Sequence, residues 1–241
     1  MSGILIYTKA EAERNQFAVH KFLQNLDIKL VDETYMGNAD FVINRTNDYK
    51  IAQHFEGQGI RVFNPSELSR LANDKQKCYE FMMDHNIEIM PINYTGIPIV
   101  KKKIDGHGGT EVMMLNHTEA FEDNYVYQKP CDTPGKDLRV WLIGRKIITA
   151  ILRESKTDFR SNFCLGGSAI PYQLNDDEIC LIKKIAGLVE SDYIGIDFIF
   201  NNGRLVFNEI EDTVGARMVY DKTDIDIIGL YCDYIKSELE L

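Results

Sequence analysis

Three acids crowd one partly apolar stretch, NEIEDTVGARM at 208–218: Glu209, Glu211 and Asp212. A fourth, Asp197, lies in GIDFIF (195–200), and NNG (201–203) separates that run from RLVFNEIE (204–211). The two runs read as a β-hairpin, because Asn and Gly tolerate the positive φ of a tight turn. Side chains alternate between the faces of a strand, so loop parity decides which acids meet. With an odd-length loop, Asp197, Ile199, Leu205, Phe207, Glu209 and Glu211 project from one face and their carboxylates converge at the open end of the hairpin. An even Asn202-Gly203 turn in strict register points Asp197 away, and Asp212 falls outside the cluster either way. Converging carboxylates call for a cation, since burying an unpaired charge costs on the order of several kcal/mol. Magnesium suits a few carboxylates plus waters and phosphates, whereas calcium asks for more oxygen ligands than this segment carries. The same acids read equally well as an exposed, solvated edge.

Basic and glycine-rich residues stand upstream. In KKK (101–103), alternation places Lys102 with Val100 and Ile104, and Lys101 and Lys103 with Ile99. Lys102 is therefore the candidate for a partly buried ammonium in need of an anion. DGHGGTE (105–111) follows. Its Gly106, Gly108 and Gly109 let backbone amides turn toward a phosphate, with His107 beside them, although a plain tight turn with a solvated histidine fits the same residues. No GxxxxGK(S/T) and no GxGxxG between a strand and a helix is present, which argues against a P-loop and a Rossmann site. Neither GxSxG nor a Cys-His signature points to a covalent nucleophile.

These residues need a scaffold, and 241 residues with 44% hydrophobic composition can bury one. The first third alternates β-rich runs (3–8, 41–46, 60–64) with helical patterns near 10–26 and 48–57, a small α/β unit. From Pro65 a longer helical stretch runs to about Asn86, and five β-rich runs follow (97–104, 112–115, 124–129, 137–144, 146–154), an α+β order. Asn175 and Glu178 form a capping-box pattern ahead of another helix, and a terminal helix spans about 223–239. Aliphatic runs are too short to cross a bilayer and the start lacks a secretory basic region, so the expected location is the cytoplasm, away from membranes. Five scattered cysteines without a CxxC pair fit reduced thiols. A net charge of −10 opposes attraction to nucleic acid.

As an ordered series, NDK (73–75), IVKKKIDGHGGTEV (99–112), YQKP (127–130), KDLRVWLIG (136–144), DFRSNFCLGG (158–167), GIDF (195–198) and FNEIEDTVG (207–215) resemble the ATP-grasp superfamily, most closely the RimK-like carboxylate-amine ligases. The resemblance implies two α+β halves clasping ATP, here 67–127 and 128–241, preceded by a short α/β unit over 1–66. Lys75 and Lys102 match lysines that contact nucleotide phosphates, under the loop of Gly106, His107, Gly108 and Gly109. Gln128, Lys129, Pro130 and Cys131 fall where the adenine meets backbone groups, Asp137 matches an acid near the ribose, and Arg139 supports it. Arg153, Arg160 and Asn162 match polar groups around the transferred phosphate, with surface ion pairing as their plainer reading. Asp197, Glu209 and Glu211 match the magnesium ligands, with manganese as the alternative metal.

Three departures stand out. Glu211 occupies a place where RimK-like enzymes commonly carry Asn, the first unit is short, and DTVG (212–215) precedes Arg217, which either faces an acceptor carboxylate or pairs with Asp212 or Glu211. The implied activity is ATP-dependent joining of a small-molecule or peptide carboxylate to an amine, an amino acid among the candidates, through an acyl phosphate. The alternative is a nucleotide-binding regulatory or partner-binding module that keeps the grasp without turnover. The identity of the substrates and any homo-oligomeric state stay open at this level.

Overall fold

The computed structural model describes residues 2–109, 111–155, 158–160 and 167–240. Strands β1 (Gly3–Ile6), β2 (Ile28–Val31), β3 (Phe41–Asn44) and β4 (Arg61–Phe63) form a parallel sheet in the order β2-β1-β3-β4, crossed by α1 (Lys9–Arg14), α2 (Gln16–Asn25) and α3 (Tyr49–Glu56). Every residue of β1 and β3 is buried, which is why their apolar runs are readable in the sequence. Strand β2 escapes such a reading: IKLV is short, lies at the sheet edge and has no buried side chain.

The helical stretch after Pro65 is two helices, α4 (Ser66–Ala72) and α5 (Lys75–Asp84), rather than one. Asn73 turns its amide back onto the Ser69 carbonyl (2.8 Å), and the Asp74 side chain accepts from the Lys77 amide (3.0 Å) as the cap of α5. The break sets Lys75 as the first residue of α5.

Strands β5 (Ile99–Lys103), β6 (Val112–Leu115) and β7 (Tyr125–Gln128) form an antiparallel sheet in the order β6-β5-β7. Strands β8 (Lys136–Ile143), β9 (Lys146–Glu154), β10 (Ser168–Pro171), β11 (Tyr193–Asn201) and β12 (Arg204–Glu211) form a second antiparallel sheet, β10-β9-β8-β11-β12. Helix α6 (Asp176–Leu188) carries the expected capping box between Asn175 and Glu178. Helices α7 (Arg217–Lys222) and α8 (Ile227–Glu238) end the described fold.

The five-stranded sheet buries one whole face. Leu138, Val140, Ile196, Phe198 and Phe207 pack with Tyr79 of α5 and with Ile182 and Ile185 of α6. Its other face is divided. At one end Trp141, Ile143 and Tyr193 join Tyr231 and Ile235 of α8 and Leu5, Phe22 and Phe63 of the first unit in a single cluster. At the other end the same strands present Asp137, Arg139, Arg153 and Asp197.

Asn64, just past β4, pins the first sheet to the large one. Its Nδ2 donates to the carbonyls of Tyr193 (2.8 Å) and Asp212 (2.7 Å), and its Oδ1 accepts from the amides of Asp192 (2.6 Å) and Tyr193 (3.0 Å). Asn64→Ala leaves these buried backbone groups unpaired and should lower the unfolding free energy by about 3 kcal/mol, read as a lower urea midpoint at unchanged m-value. An unshifted midpoint would remove Asn64 as the pin.

Candidate active site

The β11–β12 hairpin turns through two residues, Asn202 (φ 51°) and Gly203 (φ 72°), the even loop that in strict register separates the acids. The acids meet nonetheless. Phe198 stands opposite Phe207, yet Asp197 stands opposite Glu209, so Asn208 is an extra residue and the strand bulges there. The bulge restores the odd phase: Asp197, Glu209 and Glu211 offer oxygens within 4.8 Å of one another. The expectation that Leu205 and Phe207 share this face is corrected by the same bulge, since both lie with Phe198 and Phe200 in the core on the other side.

Guanidinium groups interleave with the acids. Arg139 of β8 is in register with Asp197 and grips it with Nε and Nη2 (both 2.6 Å), while Nη2 also reaches Oε1 of Glu211 (2.5 Å). Arg153 of β9 grips Asp137 in the same forked manner (both 2.6 Å) and donates to Asp197 Oδ2 (2.7 Å). Burial alone would raise the Asp197 carboxyl, but Arg139 and Arg153 outweigh it and hold it below the usual carboxylate range. Glu209 differs: burial and the neighbouring Glu211 push its carboxyl up, and its nearest cation is Lys75 Nζ at 3.8 Å. A cluster of hard oxygen donors that is short of positive charge at Glu209 fits a divalent cation such as magnesium.

Of these groups Lys75, Asp137, Glu209 and Glu211 line a cleft of about 920 Å³ open to solvent, whereas Asp197, Arg139 and Arg153 are not among its lining residues. The charged end holds Lys75, Lys102, Asn208, Glu209, Glu211 and the glycine-rich loop, and the apolar part is lined by Val100, Val112, Met114, Ile199 and Phe159. Lys75 Nζ donates to the Gly106 carbonyl, which ties α5 to that loop. Lys102 Nζ donates to Asn208 Oδ1 (2.8 Å) and Tyr79 OH (3.1 Å) and lies 5.6 Å from the centre of the Tyr79 ring. Burial, reinforced by Lys75 and opposed by Glu209, pushes the Lys102 ammonium down to about 8. Lys101 is equally buried, but it is engaged away from the cleft by Glu119 (2.6 Å) and Glu122 (2.5 Å). Burial, then Lys75, holds the His107 imidazole below its usual range, so it is neutral at pH 7.

The remaining candidates are distributed unevenly. Gly106, Gly108, Gly109, Gln128, Lys129, Pro130, Cys131 and Asp137 all line the cleft; Gln128 bonds the Met90 carbonyl (3.1 Å) and the Lys129 amide bonds the Pro91 carbonyl (2.8 Å). Arg160 also lines it, forked onto Asp158, which it draws down to about 2, and donating to the Gly109 carbonyl (2.9 Å). Arg217 is exposed at the start of α7 and pairs with neither Glu211 nor Asp212, which are held by Arg139 and by Asn73 (3.1 Å). Asn162 lies outside the described residues. Tyr79 and Asn208 belong to the site but escape the sequence reading: no spacing marks a bulge, and Tyr79 looks like any core aromatic.

Two sheets closing on a cleft with lysines, a glycine-rich loop and a carboxylate cluster at one end define a nucleotide-clasping α+β architecture. The RimK-like ATP-grasp domain model matches residues 64–235, so the chain belongs to that family. It is 28% identical over 211 residues (77% of this chain, 69% of the other) to a probable alpha-L-glutamate ligase of Haemophilus ducreyi, and 27% identical over 242 residues (89% and 85%) to an uncharacterized MG011 homolog of Mycoplasma pneumoniae. In fold it is similar to the ATP-grasp ligase PsnB complexed with a minimal precursor (TM-score 0.73, 15% identity, 99% and 100% covered). It is likewise similar to the D-alanine–D-alanine ligase of Bacillus anthracis complexed with ATP (TM-score 0.71, 15% identity, 99% and 96% covered). ATP-grasp ligases bind ATP and magnesium; a PsnB complex contains Mg and ADP. Among the described residues no helix is long and apolar enough to cross a membrane.

A cleft ammonium held near 8 must take up a proton when an anion arrives, because the anion stabilises the charged form and raises its pKa. Adding ADP at pH 8.5, chosen to lie about half a unit above that value, should therefore draw protons from the buffer. Calorimetry in buffers of different ionisation enthalpy reads the uptake, and Lys102→Met should abolish it. A buffer-independent enthalpy for the unmodified chain would contradict the assignment.

Proposed function

We propose that the chain is an ATP-dependent carboxylate-amine ligase in which the described cleft is the nucleotide and phosphoryl-transfer site. The observation that carries the reading is the convergence of Lys75, Lys102, Glu209 and Glu211 at one end of a cleft whose other part is apolar. An adenine fits the apolar part beside Gln128–Cys131, and the phosphates fit the charged end under the glycine-rich loop. In this reading 128–241 is the large half of the grasp, 67–127 the small half and 1–66 the preceding unit.

Asp197, Glu209 and Glu211 would hold magnesium, or manganese with the same hard-oxygen preference, and the metal would supply positive charge to the phosphate oxygens. The donor set is unequal: both Asp197 oxygens accept from arginines, so Glu209 and Glu211 offer the more accessible faces. The protein's own work is positioning and neutralisation. Lys102 and Lys75 draw the phosphates in, Arg160 and the backbone of the glycine-rich loop close over them, and Arg139 and Arg153 balance the acids beneath. A carboxylate oxygen attacks the terminal phosphorus and ADP departs; a neutral amine then attacks the acyl carbon, phosphate leaves, and the amine loses a proton. Asn162 remains a proposal for the transferred phosphate and Arg217 one for an acceptor carboxylate. The name of the Haemophilus relative makes L-glutamate the first amine to test, and the precursor peptide bound by PsnB and the D-alanine of the Bacillus ligase suggest peptides and amino acids as the first carboxylates to test. The cytoplasm is the proposed location.

The test is ADP release with magnesium and ATP over pairs of amino acids and peptides, with hydroxylamine to trap an acyl phosphate and mass spectrometry of the product. Glu209→Gln should cut metal-dependent turnover by roughly a hundredfold at an unchanged urea midpoint, since Glu209 makes one long ion pair. Asp197→Asn should lose turnover and also about 3–5 kcal/mol of stability, because it strips charge compensation from two buried arginines. Full turnover in Glu209→Gln removes the metal assignment, and failure to trap any acyl phosphate in a turning-over preparation removes the intermediate.

A further inference from the structure

The turn that follows the acidic strand, 212–216, is held by buried side chains from three different strand regions. Asn64 Nδ2 donates to the Asp212 carbonyl (2.7 Å), Arg45 Nη2 to the Val214 carbonyl (2.6 Å) and the Trp141 indole to the Gly215 carbonyl (3.0 Å). Arg45 is the unusual member. It follows β3 of the first sheet, is 8% exposed, lies 5.4 Å from the centre of the Tyr193 ring and forms no ion pair among the described residues. Its Nε has no hydrogen-bond partner among the described residues, and its remaining polar company includes the Tyr7 hydroxyl and the charge of Asp212, which lies beyond ion-pair contact. A buried guanidinium with no carboxylate in contact is expensive, and a neutral donor would hold one carbonyl at lower cost.

What this contact controls lies one layer further in. Val214 packs its Cγ2 onto Gly195, 2.7 Å from where a Cβ would stand, and the Cδ of Arg139 is 3.6 Å from the same point. Gly195 is the register partner of Glu211. Val214 thus flanks the stem of the arginine that bridges Asp197 and Glu211. We propose that Arg45 is a positioning residue of the active site: by fixing the 212–216 turn it holds Val214 against Gly195 and Arg139, and so sets the spacing of the carboxylates that receive the metal. The proposal rests on the ligase reading for its consequence, but the contacts it names are independent of it.

Trp141 is the chain's single tryptophan, so its emission reports directly on this turn. Arg45→Met, Arg45→Lys and Val214→Ala in the full chain would be compared for Trp141 emission and for ADP affinity with and without magnesium chloride. Arg45→Met and Val214→Ala should leave magnesium-free ADP affinity within about twofold and reduce the gain conferred by magnesium about tenfold, with Arg45→Lys recovering most of it. Arg45→Met should also shift Trp141 emission to the red. Equal losses of ADP affinity with and without magnesium, or an unshifted Trp141 spectrum, overturn the proposal. Should Arg45→Met fail to fold, Val214→Ala keeps the Arg45 contact and decides the relay through the magnesium-dependent gain. An unmodified chain that gains nothing from magnesium sinks the ligase reading, while Trp141 emission still decides whether Arg45 positions the turn.

Discussion

One inserted residue, Asn208, sets the geometry of the site. A two-residue turn enforces even parity on the β11–β12 hairpin, and in that phase Glu209 and Glu211 would point into the core packed beneath α5 and α6, away from Asp197 and Arg139. The bulge costs a local break in the ladder and reverses the phase of the last three residues of β12, so Glu209 and Glu211 turn to the cleft while Leu205 and Phe207 stay in the core. Asn208 does more than change phase: its side-chain oxygen receives Lys102 from the facing sheet (2.8 Å). The residue that brings the acids together therefore also sets a lysine beside them.

The resulting density of charge would be untenable without the arginines of β8 and β9. Asp137, Asp197, Glu209 and Glu211 lie on one sheet face, and Arg139 and Arg153 are threaded between them by antiparallel register. Forked pairing with several hydrogen bonds per carboxylate is the condition under which buried ions offset their desolvation. It also explains the acid at 211, where family resemblance leads one to expect a neutral amide. The added charge is met by Arg139 at 2.5 Å, so Glu211 enters the network as a paired group rather than as an extra uncompensated anion. Glu209, with only a distant lysine, is the least compensated member and the one we propose as the main metal ligand.

Much of this was legible in the sequence, and the limits have physical causes. Strands β6 and β9 and the capping box of α6 follow from local alternation and local hydrogen bonding, which spacing records; alternation also picks Lys102 as the lysine facing the cleft, although Lys101 is buried as well, by Glu119 and Glu122 on the other side. Strands β2 and β10 are four residues long and bury one residue between them, so neither is long enough to show an alternating buried face. The split between α4 and α5 depends on Asn73 and Asp74 side chains choosing backbone partners over helix continuation. The acids and lysines of the site could be named, but not their partners: Arg139 meets Asp197 across 58 residues of chain, and Arg45 meets Val214 across 169. Register between strands that are not consecutive, and a bulge within one, carry no mark in a single sequence.

The first unit matters for the same long-range reason. Four strands of three or four residues with three short helices would be marginal as a free-standing domain. Here the sheet does not stand alone: Leu5, Phe22, Phe41 and Phe63 enter one core with Trp141, Tyr193 and the apolar face of α8. That shared core aims the carboxyl ends of β3 and β4 at the turn beyond Glu211, which is where Arg45, Asn47 and Asn64 make their contacts. The packing of the first unit gives it a task at the site, because Arg45, Asn47 and Asn64 hold the turn beyond the acidic strand in place.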